Sequence, residues 1–115
     1  GFPMQIKLFN LIKKLGKKPI IINAKDLSLN PQKVLECLCK NLNINFSEKM
    51  LKWPKGKRQS DGLWEKVWYQ NVQSSTKFEK LTNNNGIIPV KYMDIYHECL
   101  DIFNELNSLN ILNER

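Results

Sequence analysis

Residues 50–78 read MLKWPKGKRQSDGLWEKVWYQNVQSSTKF, a stretch that joins a basic loop to an aromatic-rich segment. It opens with a basic loop at residues 53–62, and the cations in and just before the loop are Lys52, Lys55, Lys57 and Arg58. Gly56 lies among them, and a glycine-containing loop can bring backbone N–H groups and cationic side chains together onto a phosphate. A Lys-rich loop can equally be a solvated surface, so both interpretations stay open.

The second part of the same stretch is aromatic and has helical spacing. Trp64 and Trp68 are four residues apart, which predicts a helix at residues 63–74 with both indoles on one face. Aromatic side chains at this spacing usually fill a core. We therefore expect this face to pack against its neighbours and to hold the basic loop in place.

Length and charge limit the classes of function. A chain of 115 residues forms one domain at most, or a part of one, and can bury roughly two-thirds of its unfolded surface. The net charge of +7 favours an anionic partner, which can be a nucleotide, a nucleic acid or a membrane surface. No apolar run approaches the roughly 20 residues of a membrane span, so we expect a protein that is not inserted in a membrane and has no membrane partner.

Cysteine usage predicts a reduced, cytoplasmic protein without a metal centre. The three cysteines, at positions 37, 39 and 99, are an odd number without a regular framework, which argues against disulfides. Cys37 and Cys39 lack the spacing and the further ligands of a zinc site, and His97 is the single histidine. Cys39 is expected to be a small core residue.

Most of the chain is predicted to be helical, in about four to five helices. The first helix covers residues 4–15 and ends in a left-handed cap at Gly16. Asn30 and Pro31 are a strong start signal for a second helix, and Ser47 can open a short helical turn. A long C-terminal helix is predicted at residues 89–109, after the loop signal at residues 83–86.

One short segment, Pro19 to Asn23, predicts a strand of the kind that is buried on both faces of a parallel sheet. A single strand cannot form a sheet. We therefore expect a homodimer that pairs this orphan strand or exchanges the C-terminal helix. The chain begins with Gly1-Phe2-Pro3 and not with methionine, which suggests either a trimmed chain or a boundary inside a longer protein.

No catalytic residue is predicted. The sequence contains no Gly-x-Ser-x-Gly, no Walker-type loop and no carboxylate pair at a persuasive spacing. His97 has no Cys, Ser or second His at a useful spacing, so we interpret it as a structural or surface residue.

The order of several features resembles the C-terminal portion of the sulfotransferase-like family. These features are the strand at 19–27, Asn30-Pro31, Trp53-Pro54, Asp61-Gly62-Leu63-Trp64, Trp68-Tyr69, Ser74-Ser75-Thr76 and Phe78. The family has a P-loop-related, three-layer α/β fold and uses 3′-phosphoadenosine 5′-phosphosulfate as its co-substrate. The resemblance therefore implies an α/β fold, of which this chain holds a mostly helical C-terminal part.

The resemblance also implies a site. The phosphosulfate-binding loop, the principal catalytic histidine and other 3′-phosphate ligands of the family lie upstream of the matched part. A late nucleotide-contacting loop remains, for which the resemblance suggests Lys55, Gly56, Lys57, Arg58 and Trp64. Glu65 stands where the family pattern has a lysine. Relatives labelled aminotransferase-like exist, but no residue here indicates pyridoxal-phosphate chemistry.

Two functions follow as expectations. The first is a fragment of a sulfotransferase-like protein that contributes part of the 3′-phosphoadenosine 5′-phosphosulfate site and is inactive alone. The alternative is a stand-alone basic helical module that binds nucleic acid or a protein partner through residues 50–78, which the +7 charge and the interleaved aromatics favour.

Overall fold

A computed structural model describes residues 1–81 and 86–113. The described residues form six α-helices, which are α1 (Phe2–Lys14), α2 (Ala24–Leu29), α3 (Pro31–Leu42), α4 (Glu65–Trp68), α5 (Gln70–Ser74) and α6 (Met93–Ser108). Two 3₁₀ turns, Glu48–Met50 and Val90–Tyr92, complete the helical content. The expectation of a mostly helical chain is confirmed. None of the described helices is long and apolar enough to cross a membrane.

The N- and C-terminal helices pack against each other. Phe2 of α1 meets Phe103 of α6 edge to face, with 6.1 Å between the ring centroids, and Phe9 and Leu106 are buried nearby. Helix α1 ends as the sequence predicts. Gly16 has a φ of 69°, and the N–H groups of Gly16 and Lys17 donate to the carbonyls of Lys13 and Ile12 in a Schellman-type cap.

The segment predicted as a strand, Pro19 to Asn23, is half-buried and makes a single parallel bridge, between Ile21 and Asn110. The Ile111 N–H donates to the Ile21 carbonyl over 2.9 Å. The parallel direction is the predicted one. The described residues contain no continuous strand, because no second extended segment runs beside this one over more than one residue.

A polar seam joins this segment to the C-terminus. The buried side chain of Asn110 donates from Nδ2 to a carboxylate oxygen of Asp26, and Asn23 Nδ2 donates to Asn107 Oδ1 over 2.8 Å. Asn23 also caps α2, because its Oδ1 accepts the Lys25 N–H over 2.8 Å. Helix α2 was not predicted, and it corrects the strand at residues 19–27 on which the family resemblance was based, because residues 24–27 are helical.

Helix α3 begins where the sequence predicts. Asn30 is the N-cap of α3 and Pro31 its first residue, as predicted, although the Asn30 side chain makes no capping hydrogen bond. Val34 and Cys39 are buried, which confirms Cys39 as a core residue. Ser47 caps the following 3₁₀ turn by accepting the Lys49 N–H over 3.3 Å.

The aromatic helix differs from its prediction in two respects. The predicted helix at residues 63–74 is divided at Tyr69 into α4 and α5. Trp64 and Trp68 are 71% and 70% exposed, so the expectation that they pack in a core is wrong. Both indoles do share one face of α4, but no described element lies over that face, because α4 and α5 contact mainly each other.

The C-terminal helix begins later than predicted. The described helix starts at Met93 after the 3₁₀ turn, and only the C-terminal half of its apolar stripe is covered. Leu106 is buried against α1, whereas Ile95 near the N-terminal end is 61% exposed. The predicted loop signal at residues 83–85 lies outside the described residues.

Candidate functional site: the basic loop

Backbone pairing closes the base of the basic loop, residues 53–62. An antiparallel bridge joins Lys52 to Lys77, and next to it the Trp53 N–H donates to the Thr76 carbonyl over 3.0 Å. Further into the loop, the Gly56 N–H donates to the Gln73 carbonyl over 2.8 Å. The loop is therefore held at two points, by Gln73 within α5 and by Thr76 in the segment that follows α5.

Trp53 is the indole that fixes the loop. Its Nε1 donates to Ser75 Oγ over 3.0 Å, and its ring meets the edge of Phe78 with 5.2 Å between centroids. The sequence prediction gave this anchoring role to Trp64. In the sequence, the position of Trp53 directly before Pro54 at the start of the loop indicates that it could anchor the loop. Its partners could not be identified in this way, because they lie 22 and 25 residues further along the chain.

Gly56 occupies a backbone conformation that other residues rarely adopt, with a φ of 117°. A Cβ atom added at this position would meet nothing within 4 Å, so space is not the reason for glycine here. Its N–H is engaged by Gln73. Gly56 thus shapes the turn that presents the neighbouring cations, while its Cα faces open space.

A second turn closes the far end of the loop. The Arg58 N–H donates to Asp61 Oδ2 and the Asp61 N–H donates to the Arg58 carbonyl, both over 3.0 Å. Gln73 Nε2 reaches the same carboxylate oxygen over 3.5 Å. Asp61 and Gln73 therefore support the loop, and the sequence prediction had not included either of them as a site residue.

The three predicted cations differ in their surroundings. Lys57 Nζ lies 3.1 Å from Glu65 Oε1, and the Lys57 side chain is 63% exposed. Lys55 and Arg58 are exposed, and their side chains have no ion-pair partner among residues 1–81 and 86–113. The loop therefore presents two unpaired cations and a third that shares its charge with a carboxylate.

The fifth predicted residue, Trp64, is the N-cap residue of α4. It precedes Glu65 directly, so the Lys57–Glu65 pair brings the start of α4 to the cationic loop. The exposed indole makes no ring contact within the described part of the chain. The structure therefore places all five predicted residues in one exposed region, with Trp53 rather than Trp64 as its packed member.

The described residues contain no group of three or more His, Cys, Asp or Glu side chains that could hold a metal ion. The lysine and arginine side chains of the loop supply positive charge and hydrogen-bond donors, which are the groups that can bind an anion.

The chain is similar over most of its length to known proteins. Residues 1–109 match the family model described as a sulfotransferase domain. Branched-chain-amino-acid aminotransferase-like protein 2 of Arabidopsis thaliana is 33% identical over 106 residues, which are 92% of this chain and 19% of that protein. Branched-chain-amino-acid aminotransferase-like protein 1 of the same plant is 31% identical over 108 residues, or 94% and 20%.

The chain thus spans about a fifth of the length of these curated relatives. No solved structure matches it at a significant level.

Proposed function

Because the chain belongs to the sulfotransferase-domain family, we propose that it contributes part of the binding site for 3′-phosphoadenosine 5′-phosphosulfate. Lys55, Lys57 and Arg58 contact the 3′-phosphate, and Gly56 sets the turn that presents them. Trp64 borders the same site. The aminotransferase-like names of the two relatives belong to those proteins, and the basic loop offers no chemistry that they describe.

Sulfuryl transfer depends mainly on positioning and on stabilising charge. The sulfuryl group moves to an acceptor hydroxyl or amine, and the leaving group is a nucleotide bisphosphate. Cations at the 3′-phosphate hold the nucleotide in register without touching the reacting sulfur. We therefore assign the basic loop a binding role and expect no sulfuryl transfer by the 115-residue chain alone.

One observation carries this proposal: a loop pinned at Trp53 and Gly56 that leaves its cations in solvent. The two backbone hydrogen bonds, of 3.0 and 2.8 Å, fix the loop before any ligand arrives. A preformed loop has less conformational entropy to lose when it binds an anion. Lys55 and Arg58 need not give up a carboxylate partner among the described residues, whereas Lys57 shares its charge with Glu65.

Titration with adenosine 3′,5′-bisphosphate tests the proposal. We expect saturable binding that weakens at least about tenfold in the triple variant Lys55→Gln, Lys57→Gln, Arg58→Gln, because three charge-assisted contacts are lost. The matched control changes three exposed lysines elsewhere, Lys7, Lys14 and Lys40, to glutamine. It lowers the net charge by the same amount, so equal weakening in both variants would contradict a defined site.

The exposed indoles of α4 favour a second function, the binding of nucleic acid. Trp64 and Trp68 are exposed beside a cationic loop. Proteins that bind single-stranded nucleic acid combine such groups, because the bases stack on aromatic side chains and the cations contact the phosphates. Random-sequence oligonucleotide, titrated at two salt concentrations, separates this function from the first. Affinity that falls steeply with salt and is lost in Trp64→Ala, with no response to the bisphosphate, supports nucleic-acid binding.

A homodimer remains a proposal that accompanies the first function. Among the described residues Ile21 is bridged to Asn110 and to no other residue, and the exposed N-terminal half of α6 offers further apolar surface. Pairing of these elements between two copies would cover both. Sedimentation velocity at micromolar concentration distinguishes the dimer from a compact monomer, which would exclude it under those conditions.

A further inference from the structure

A second cationic site lies apart from the basic loop. A cavity of about 600 Å³ opens between the start of α3 and the bridge that joins Lys52 to Lys77. Three lysines line it: Lys33 from α3, and the two bridge residues themselves. None of the five residues assigned above to nucleotide binding lines this cavity, so the site is independent of the proposed function.

The pairing of Lys52 with Lys77 is unusual. Residues directly opposite each other in an antiparallel pair place their side chains on the same side, and like charges in that position destabilise the pair. Contacts of the neighbouring Trp53 indole, with Ser75 Oγ and the ring of Phe78, favour this register despite the two charges. The backbone therefore holds the Cβ atoms of two lysines on the same side of the pair, and an anion bound between the side chains would relieve the repulsion of their charges.

The cavity offers little internal compensation for these charges. Among the described residues, the three lysine side chains form no ion pair or hydrogen bond. Glu36 is the acidic residue in the wall, and its Oε1 already accepts a hydrogen bond from Gln32 Nε2 over 2.9 Å. The cavity thus carries three positive charges against one negative charge.

The remaining wall determines what kind of anion fits. Leu29, Pro31, Leu51 and Phe78 supply apolar surface beside the lysines. A volume of this size is within the range of small-molecule sites, which combine apolar walls with a few charged groups that orient the ligand. We propose that the cavity binds a phosphate monoester whose organic part is apolar, with the phosphate between Lys33, Lys52 and Lys77 and the organic part against Phe78.

Phenyl phosphate is the probe for this site, and amide NMR spectra of the 115-residue chain report its position. We expect saturable shifts at residues 29–36, 51–52 and 77–78. Inorganic phosphate, which lacks the ring, should bind more weakly, and phenol, which lacks the charge, should give no saturable shift. The triple variant of Lys55, Lys57 and Arg58 should bind phenyl phosphate like the original chain.

Single variants test the lysines. Lys33→Gln, Lys52→Gln and Lys77→Gln should each weaken phenyl phosphate binding about two- to fivefold, the range for exposed charge pairs. Lys40→Gln, at the other end of α3, removes the same charge and should leave the affinity unchanged. Lys77→Gln should also raise the melting temperature at low salt without ligand, because it ends the repulsion with Lys52. If Lys77 had only a structural role, its replacement would not both weaken phenyl phosphate binding and raise the melting temperature.

Three results would overturn the proposal. The first is shifts that map to residues 55–58 instead of the cavity. The second is equal weakening by Lys40→Gln, which indicates attraction by net charge alone. The third is equal binding of phenyl phosphate and inorganic phosphate, which would show that the apolar wall has no part. Failure of the bisphosphate titration leaves all three readouts intact, so the two proposals are tested separately.

Discussion

Replacing Gly56 by alanine gives the clearest test of how the basic loop is held. The φ of 117° is strained for an alanine, at a cost of about 1–3 kcal/mol. The added methyl meets no atom within 4 Å, so no steric clash contributes. Alanine also restricts the unfolded chain, which offsets about 0.4–1 kcal/mol of the strain. We therefore expect Gly56→Ala to destabilise the loop by about 1–2 kcal/mol.

Gly62 is a matched control within the same loop. It too has open space around its Cα, but its φ lies outside the left-handed region. Gly62→Ala should therefore be neutral or should stabilise the loop by up to about 1 kcal/mol. The two substitutions add the same methyl group to one loop and are expected to act with opposite sign.

Amide hydrogen exchange measures this difference locally. The N–H groups of residues 53 and 56 donate to Thr76 and Gln73, so they report opening of the loop. A loss of 1–2 kcal/mol corresponds to exchange about 5–30 times faster at both amides in Gly56→Ala. Equal exchange rates in the two variants would refute the argument that backbone conformation fixes the glycine at position 56.

Three further predictions concern the seam, the indoles and the ion pair. Asn110→Ala should lower the free energy of unfolding by about 1–3 kcal/mol, because Asp26 loses a buried donor, whereas exposed Asn104→Ala should change it by less than about 0.5 kcal/mol in urea titrations. Trp53→Ala should lower the free energy of unfolding by about 2–3 kcal/mol in the same assay, whereas Trp64→Ala should change it by less than about 0.5 kcal/mol. Equal losses would contradict the assignment of Trp53 as the anchor. Glu65→Gln releases Lys57 and should tighten adenosine 3′,5′-bisphosphate binding about two- to fivefold by calorimetry, and weaker binding would argue that Glu65 positions Lys57 for the ligand.

Local signals predicted two of the helix ends correctly. The left-handed cap at Gly16 and the start of α3 at Asn30 and Pro31 depend on a few adjacent residues, and both are confirmed. The family resemblance is confirmed as well, because it rests on the order of motifs along the chain. Helix α2 was missed, although Asn23 and Asp26 supply an N-cap and an acidic first turn that signal it.

Contacts between distant residues could not be predicted in the same way. Helical spacing places Trp64 and Trp68 on one face, but it does not say whether another element covers that face. Similarly, the carbonyl that engages the Gly56 N–H belongs to Gln73, which is 17 residues away. The five residues predicted from the sequence lie together in one exposed region, and their role stays a prediction, whereas the position of Trp53 as the packed indole depends on tertiary contacts.

A comparison of two nucleotides tests whether the basic loop binds the 3′-phosphate of a nucleotide. Amide NMR spectra are recorded while the chain is titrated with adenosine 3′,5′-bisphosphate and, separately, with adenosine 5′-monophosphate. We expect saturable shifts at residues 55–58 with the bisphosphate and clearly weaker binding of the monophosphate, which lacks the 3′-phosphate. Equal affinity for the two nucleotides, or shifts that leave residues 55–58 unchanged, would contradict this binding role.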